Sequence, residues 1–148
     1  MIDVDFYFNV WEPGRVSDLA KDIEDALSIS FGEAHGEDYE SKLLSAPIRF
    51  QINEGMEDFS DLMFSKYQFV LNTDSKTPLT NTMLVTLMTY ALALLFKKGV
   101  AKSGMLVFDG QINLQEWNFQ SVDEAFESID EQLMNFAEFI NTLQKKIT

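Results

Sequence analysis

The chain has no cysteine and one histidine in 148 residues, and basic side chains are scarce, with 11 Lys and Arg against 24 Asp and Glu. Without cysteine there is neither a disulfide framework nor a thiolate zinc site. No context marks a Ser, Thr or Lys as an activated nucleophile, and no Gly-rich phosphate loop follows a strand. The chain is therefore expected not to be an enzyme and to need no cofactor and no resident metal. A net charge of −13 disfavours nucleic acid, whose phosphates call for a basic surface. It disfavours anionic membrane surfaces for the same reason. The opening residues, Met1 to Asp5, lack the basic and apolar regions of a signal peptide, so a cytoplasmic location is expected.

Apolar residues make up 46% of the chain, and 13 Phe, 4 Tyr and 2 Trp set it apart from acidic disordered chains. At this length a single domain over residues 1–148 is expected. Ile2, Val4, Phe6, Phe8 and Val10 alternate with polar residues and predict a half-buried strand. Ser17 predicts a helix start, Leu19, Ile23, Ala26 and Leu27 give its apolar stripe, and Gly32 its end. Glu33 to Glu40 is acidic, contains His35 and reads as a loop. Ile48, Phe50 and Ile52 predict a strand, and Phe64 to Leu71 a more central one. Thr77-Pro78 predicts the start of a buried, nearly uncharged helix over Leu79 to Phe96, closed by Lys97-Lys98-Gly99.

Met105 to Phe108 and Gln111 to Leu114 flank Asp109-Gly110, a type I′ hairpin signal. Ser121 and Glu124 form a capping box. The helix it opens carries a heptad seam from Val122 through Phe126, Ile129, Leu133, Phe136, Ile140 and Leu143 to Ile147. About 27 such residues reach roughly 40 Å. The seam reads as core packing, or as a surface that pairs with a second copy to give a homodimer. The whole pattern predicts an α+β fold, a mainly antiparallel sheet of about five or six strands with three helices.

Candidate sites are few. Asp3 and Asp5 share one face of the first strand, a spacing that can bind a divalent cation, though a solvated face is the simpler reading. His35 among Glu33, Glu37 and Asp38 suits an exposed loop better than acid–base work. Between Glu54 and Asp61 lie four carboxylates, interrupted by Met56 and Phe59. Apolar anchors within a charged rim are what a protein–protein hot spot requires. The alternative is that Met56 and Phe59 enter the core while the acids face water. The charge itself either steers a basic partner or only maintains solubility.

The segment Gly55-Met56-Glu57-Asp58-Phe59-Ser60-Asp61, leading into Phe64-Ser65-Lys66-Tyr67, resembles small acidic immunity proteins of bacterial toxin–immunity systems, including those of contact-dependent growth inhibition. The apolar helix running into Gly104-Met105-Leu106-Val107-Phe108-Asp109 adds to that resemblance. It implies a cytoplasmic antidote that binds one cognate toxin domain, for example a nuclease with a basic cleft. The partner-binding residues expected on that reading are Glu54, Met56, Glu57, Asp58, Phe59 and Asp61, then Glu33, Glu37 and Asp38. With the first strand set aside, the element order also resembles acidic type III secretion chaperones, which dimerise and hold an effector segment on apolar surfaces.

Overall fold

The computed structural model describes residues 2–32, 38–44, 46–54, 57–59, 62–73 and 79–148. The fold is α+β. Six strands form one sheet: β1 (Val4–Val10), β2 (Tyr39–Leu43), β3 (Ala46–Ile52), β4 (Phe69–Thr73), β5 (Ala101–Phe108) and β6 (Ile112–Asn118). Their order is β2-β3-β4-β1-β5-β6, and every neighbouring pair is antiparallel. Among the described residues four α-helices accompany them: α1 (Val16–Leu27), α2 (Asn81–Lys97), α3 (Val122–Met134) and α4 (Phe136–Gln144). Among the described residues no helix is long and apolar enough to cross a membrane.

The first strand sits in the middle of the sheet, which changes its environment. Val4, Phe6 and Phe8 enter the main core with the helices. Asp5 and Tyr7, on the opposite face, are buried as well. The expectation of a half-buried strand is corrected here: alternation still sorts the faces, but both are covered. Phe6 and Phe8 stack at 5.2 Å, and Phe96 of α2 meets Phe6 edge-on at 5.6 Å. Gly104 lets that Phe6 ring lie flat on β5, because a Cβ there would come within 2.2 Å of it.

Helix α2 lies on the sheet with α1 beside it, and α3 and α4 pack on its outer side. It is therefore buried on nearly all sides, and the Thr89 hydroxyl donates to the Val85 carbonyl at 2.7 Å rather than staying unpaired. Its start differs from expectation. Thr80 caps it, its hydroxyl accepting from the Met83 N–H at 3.2 Å, while Thr77 and Pro78 lie outside the described residues. Lys97 and Gly99 close it as expected, with Gly99 at φ 75°. Lys97 also bonds Asp130 of α3 at 2.9 Å.

Three other boundaries move. Helix α1 starts at Val16 rather than beyond Ser17, and stops at Leu27 because Ser28 takes a left-handed φ of 54°. Phe64 to Lys66 is a 3-10 turn, so β4 begins only at Phe69. The long final helix divides at Asn135, whose φ of −118° breaks the ladder. The bend lets both halves follow α2: Ala125, Ile129, Ile140 and Leu143 of the seam side are buried in the chain's own core, while Val122 and Phe126 stay partly exposed. The capping box holds with a shift, since Glu124 accepts from the Gln120 N–H at 2.8 Å while Ser121 accepts from the Glu124 N–H at 3.1 Å. Asp109 and Gly110 of the β5–β6 turn both have positive φ, as a type I′ turn requires.

Candidate functional site: an acidic hollow on the sheet

The sheet face turned away from the helices combines a small apolar patch with a dense polar field. Register sets its rows. Asp5 lies between Asn72 of β4 and Val107 of β5, and Arg49 and Glu40 continue the row on β3 and β2. Tyr7 lies between Val70 and Met105 in the next row. The connection between β3 and β4 folds back over part of this face and sets Leu62, Phe64 and Tyr67 against Tyr7, Val70, Met105 and Val107. Phe64 meets the Tyr7 ring at 4.8 Å.

Polar side chains pin that connection in place. Asn53 donates to the carbonyls of Phe64 and Tyr67 at 2.8 and 3.0 Å. Asn9 donates to the Lys66 carbonyl and accepts from the Gln68 N–H, both at 2.9 Å. Phe59 and Leu62 exchange backbone bonds of 3.0 and 2.8 Å. Asp58 accepts from both the N–H and the hydroxyl of Ser65 at 2.9 Å, so one of the expected partner-binding acids holds the connection's own shape.

Beside the covered patch the face stays open as a hollow of about 550 Å³. Its described lining holds four carboxylates, Asp3, Asp5, Asp38 and Glu54, and no basic residue. Gln51, Asn53 and Asn72 add amides, and Tyr7 and Val70, each only 4% exposed, border it where the covered patch begins. The basic residues of this region, Lys42 and Arg49, line a neighbouring depression instead. Arg49 reaches Asp38 at 3.7 Å and Glu40 at 3.8 Å, long and exposed contacts of little energetic weight. Among the described residues, no group of three or more His, Cys, Asp or Glu could hold a metal ion.

Asp5 is the unusual member. It is 8% exposed, and its Oδ1 has no hydrogen-bond partner among the described residues. Burial, reinforced by the charge of Asp3, pushes its pKa up to about 7, and a hydrogen bond from Asn72 works in the opposite direction. Burial also raises the Tyr7 hydroxyl and pushes Tyr67 up to about 12, so both stay protonated at neutral pH.

The expected site residues divide into three groups. Asp38 and Glu54, from different connections, both line the hollow. Glu57, Asp58 and Phe59 are exposed on the connection beside it, and Phe59 is 60% exposed rather than tucked into the core. Met56, Asp61, Glu33 and Glu37, like His35, lie outside the described residues. Asp5 was expected on a solvated face, and that expectation is overturned. Period-two alternation put it opposite Phe6, but its place between β4 and β5 in the middle of the sheet leaves it only 8% exposed. The usable signal was β5, where Met105 to Phe108 are apolar on both parities and imply a sheet covered on both sides at its centre. No family model matches this chain, and neither a curated protein nor a solved structure matches it.

Proposed function

We propose that the chain is a cytoplasmic immunity-type protein, which neutralises a toxin domain by presenting the acidic, helix-free face of its sheet to a basic surface. One observation carries this reading: Asp38 and Glu54, from two separate acidic segments, join Asp3 and Asp5 around one hollow with no basic residue in its described lining. Opposite potentials steer encounter, and desolvated anchors slow release. Phe59, exposed on the adjoining connection, is placed to serve as such an anchor. The helices fill the other face, so binding would leave the main core undisturbed.

The test is co-expression with the protein encoded immediately upstream, followed by co-purification and a growth-rescue assay. Glu54→Lys combined with Glu57→Lys is expected to abolish both, and Asp58 is left intact because it shapes the connection. A complex that survives the double reversal and high salt unchanged would rule out the acidic face. A second reading rests on Asp5 alone. A carboxyl that titrates near neutrality at the edge of an open hollow can act as a general acid or base. That reading requires a turnover that vanishes in Asp5→Asn while binding persists.

A further inference from the structure

We infer that the helix side of the molecule carries an interface for a second copy of this chain, two protomers pairing antiparallel across α2. This surface lies on the opposite side of the sheet from the acidic hollow, and the inference does not depend on the function proposed above.

Helix α2 is buried around most of its circumference, but one strip stays open. Met83, Thr86, Tyr90, Leu94 and Lys97 recur at steps of three and four, so they lie in one row, each at least partly exposed. Helices α3 and α4 widen the strip. Phe136 meets the Tyr90 ring at 6.5 Å, and Phe126 lies under the Lys97 ammonium at 4.9 Å. The middle and end of the heptad seam serve the chain's own core, whereas Val122 and Phe126 at its start do not. Met83, Tyr90, Val122 and Phe126 are each between 44% and 49% exposed. Side chains of this size, half exposed, offer roughly 300–400 Å² of apolar surface, about half of what each partner gives to a stable interface. Asn81, Thr82 and Gln144 are exposed at one end and supply polar rim.

Two observations favour a second copy as the occupant. The first is charge. In a chain of net charge −13, two copies repel wherever their acids meet. Helix α2 contains no Asp or Glu, and Asp130, the acid beside the strip, is already bonded to Lys97 at 2.9 Å. A strongly basic partner finds little to attract it here, and a second copy finds little to repel it. The second is self-complementarity. Met83 and Lys97 lie about two helical turns to either side of Tyr90. A two-fold axis through Tyr90 therefore sets Met83 of each copy against the Lys97–Phe126 corner of the other, where a thioether meets an aromatic ring.

The test is sedimentation velocity of the isolated protein from about 1 µM to about 300 µM, since an interface of this size implies a dissociation constant in roughly the micromolar range. A monomer–dimer equilibrium is expected. It should tighten as sodium chloride rises from about 50 mM to about 500 mM, because salt screens the repulsion between the two acidic copies. Tyr90→Glu and Met83→Glu are each expected to weaken the dimer roughly tenfold or more. Met83 lies in the first turn of α2, so its variant keeps the test valid if Tyr90→Glu, beside Phe136, disturbs folding. Leu44→Glu, at an exposed turn between β2 and β3, is expected to leave the dimer intact. A monomer across the whole range, a dimer that survives both α2 variants, or a dimer lost on Leu44→Glu would each overturn the assignment. A monomer whose α2 variants fail to bind the protein encoded upstream would give this face to a different partner and overturn it as well.

Discussion

Burial of the Asp5 carboxyl couples folding to pH. Its folded pKa of about 7 lies above the ordinary 3.8, so between those values the folded chain holds a proton that the unfolded chain has released. The contribution of this group to stability is therefore greatest at low pH and declines as pH rises toward 7. The groups around it act with burial or against it: Asp3 raises the value and Asn72 lowers it. Asp5→Asn keeps the shape and removes the ionisation. It is expected to raise the melting temperature at about pH 8, by no more than a few kcal/mol in stability, with the gain fading toward about pH 4. Thermal unfolding of both proteins across that range checks it, and a gain that stayed constant with pH would show that Asp5 is not the titrating group.

The connection between β3 and β4 is a small element with its own core. Leu62 is fully buried at its centre, under no helix. Leu62→Ala is expected to cost about 2–4 kcal/mol and to open residues 57–68 to proteolysis before the rest of the chain. Cleavage at the same rate as in the parent would mean that the patch is not what holds the connection down. This element also marks the limit of what patterning could reveal. Helix α1 and strand β3 each have one buried and one exposed side, and their periodicity placed them, although α1 stops short of Gly32; the β5–β6 hairpin was placed by its Asp109-Gly110 turn. The Phe64 to Leu71 stretch is apolar on both parities because it serves two purposes, a cover and then a strand, and a single period cannot separate them. The break at Asn135 was hidden for a related reason, since the heptad spacing continues across it. At the candidate site, Asp38 and Glu54 stood out as clustered acids, whereas Asp5 is buried by segments remote in the chain that leave no local trace.

Over the molecule as a whole, the −13 charge is unevenly opposed. Helix α3 places Asp123 and Glu124 in its first turn, where the helix dipole favours them, whereas the hollow gathers four carboxylates with no basic residue in its described lining. Screening should therefore stabilise the free protein. Its melting temperature is expected to rise by several degrees between about 20 mM and about 500 mM sodium chloride at neutral pH. The rise is expected to shrink when Glu54 and Asp38 are both made neutral. An unchanged melting temperature would show that the crowding of carboxylates costs the fold nothing. The position of β1 has a separate consequence for synthesis. Its hydrogen-bonding partners are β4 and β5, so neither edge of this apolar segment can be satisfied locally. As the polypeptide leaves the ribosome, β1 must wait until residue 108 has emerged before both sides are closed. Throughout that interval the newborn chain carries an open, aggregation-prone strand that invites a chaperone.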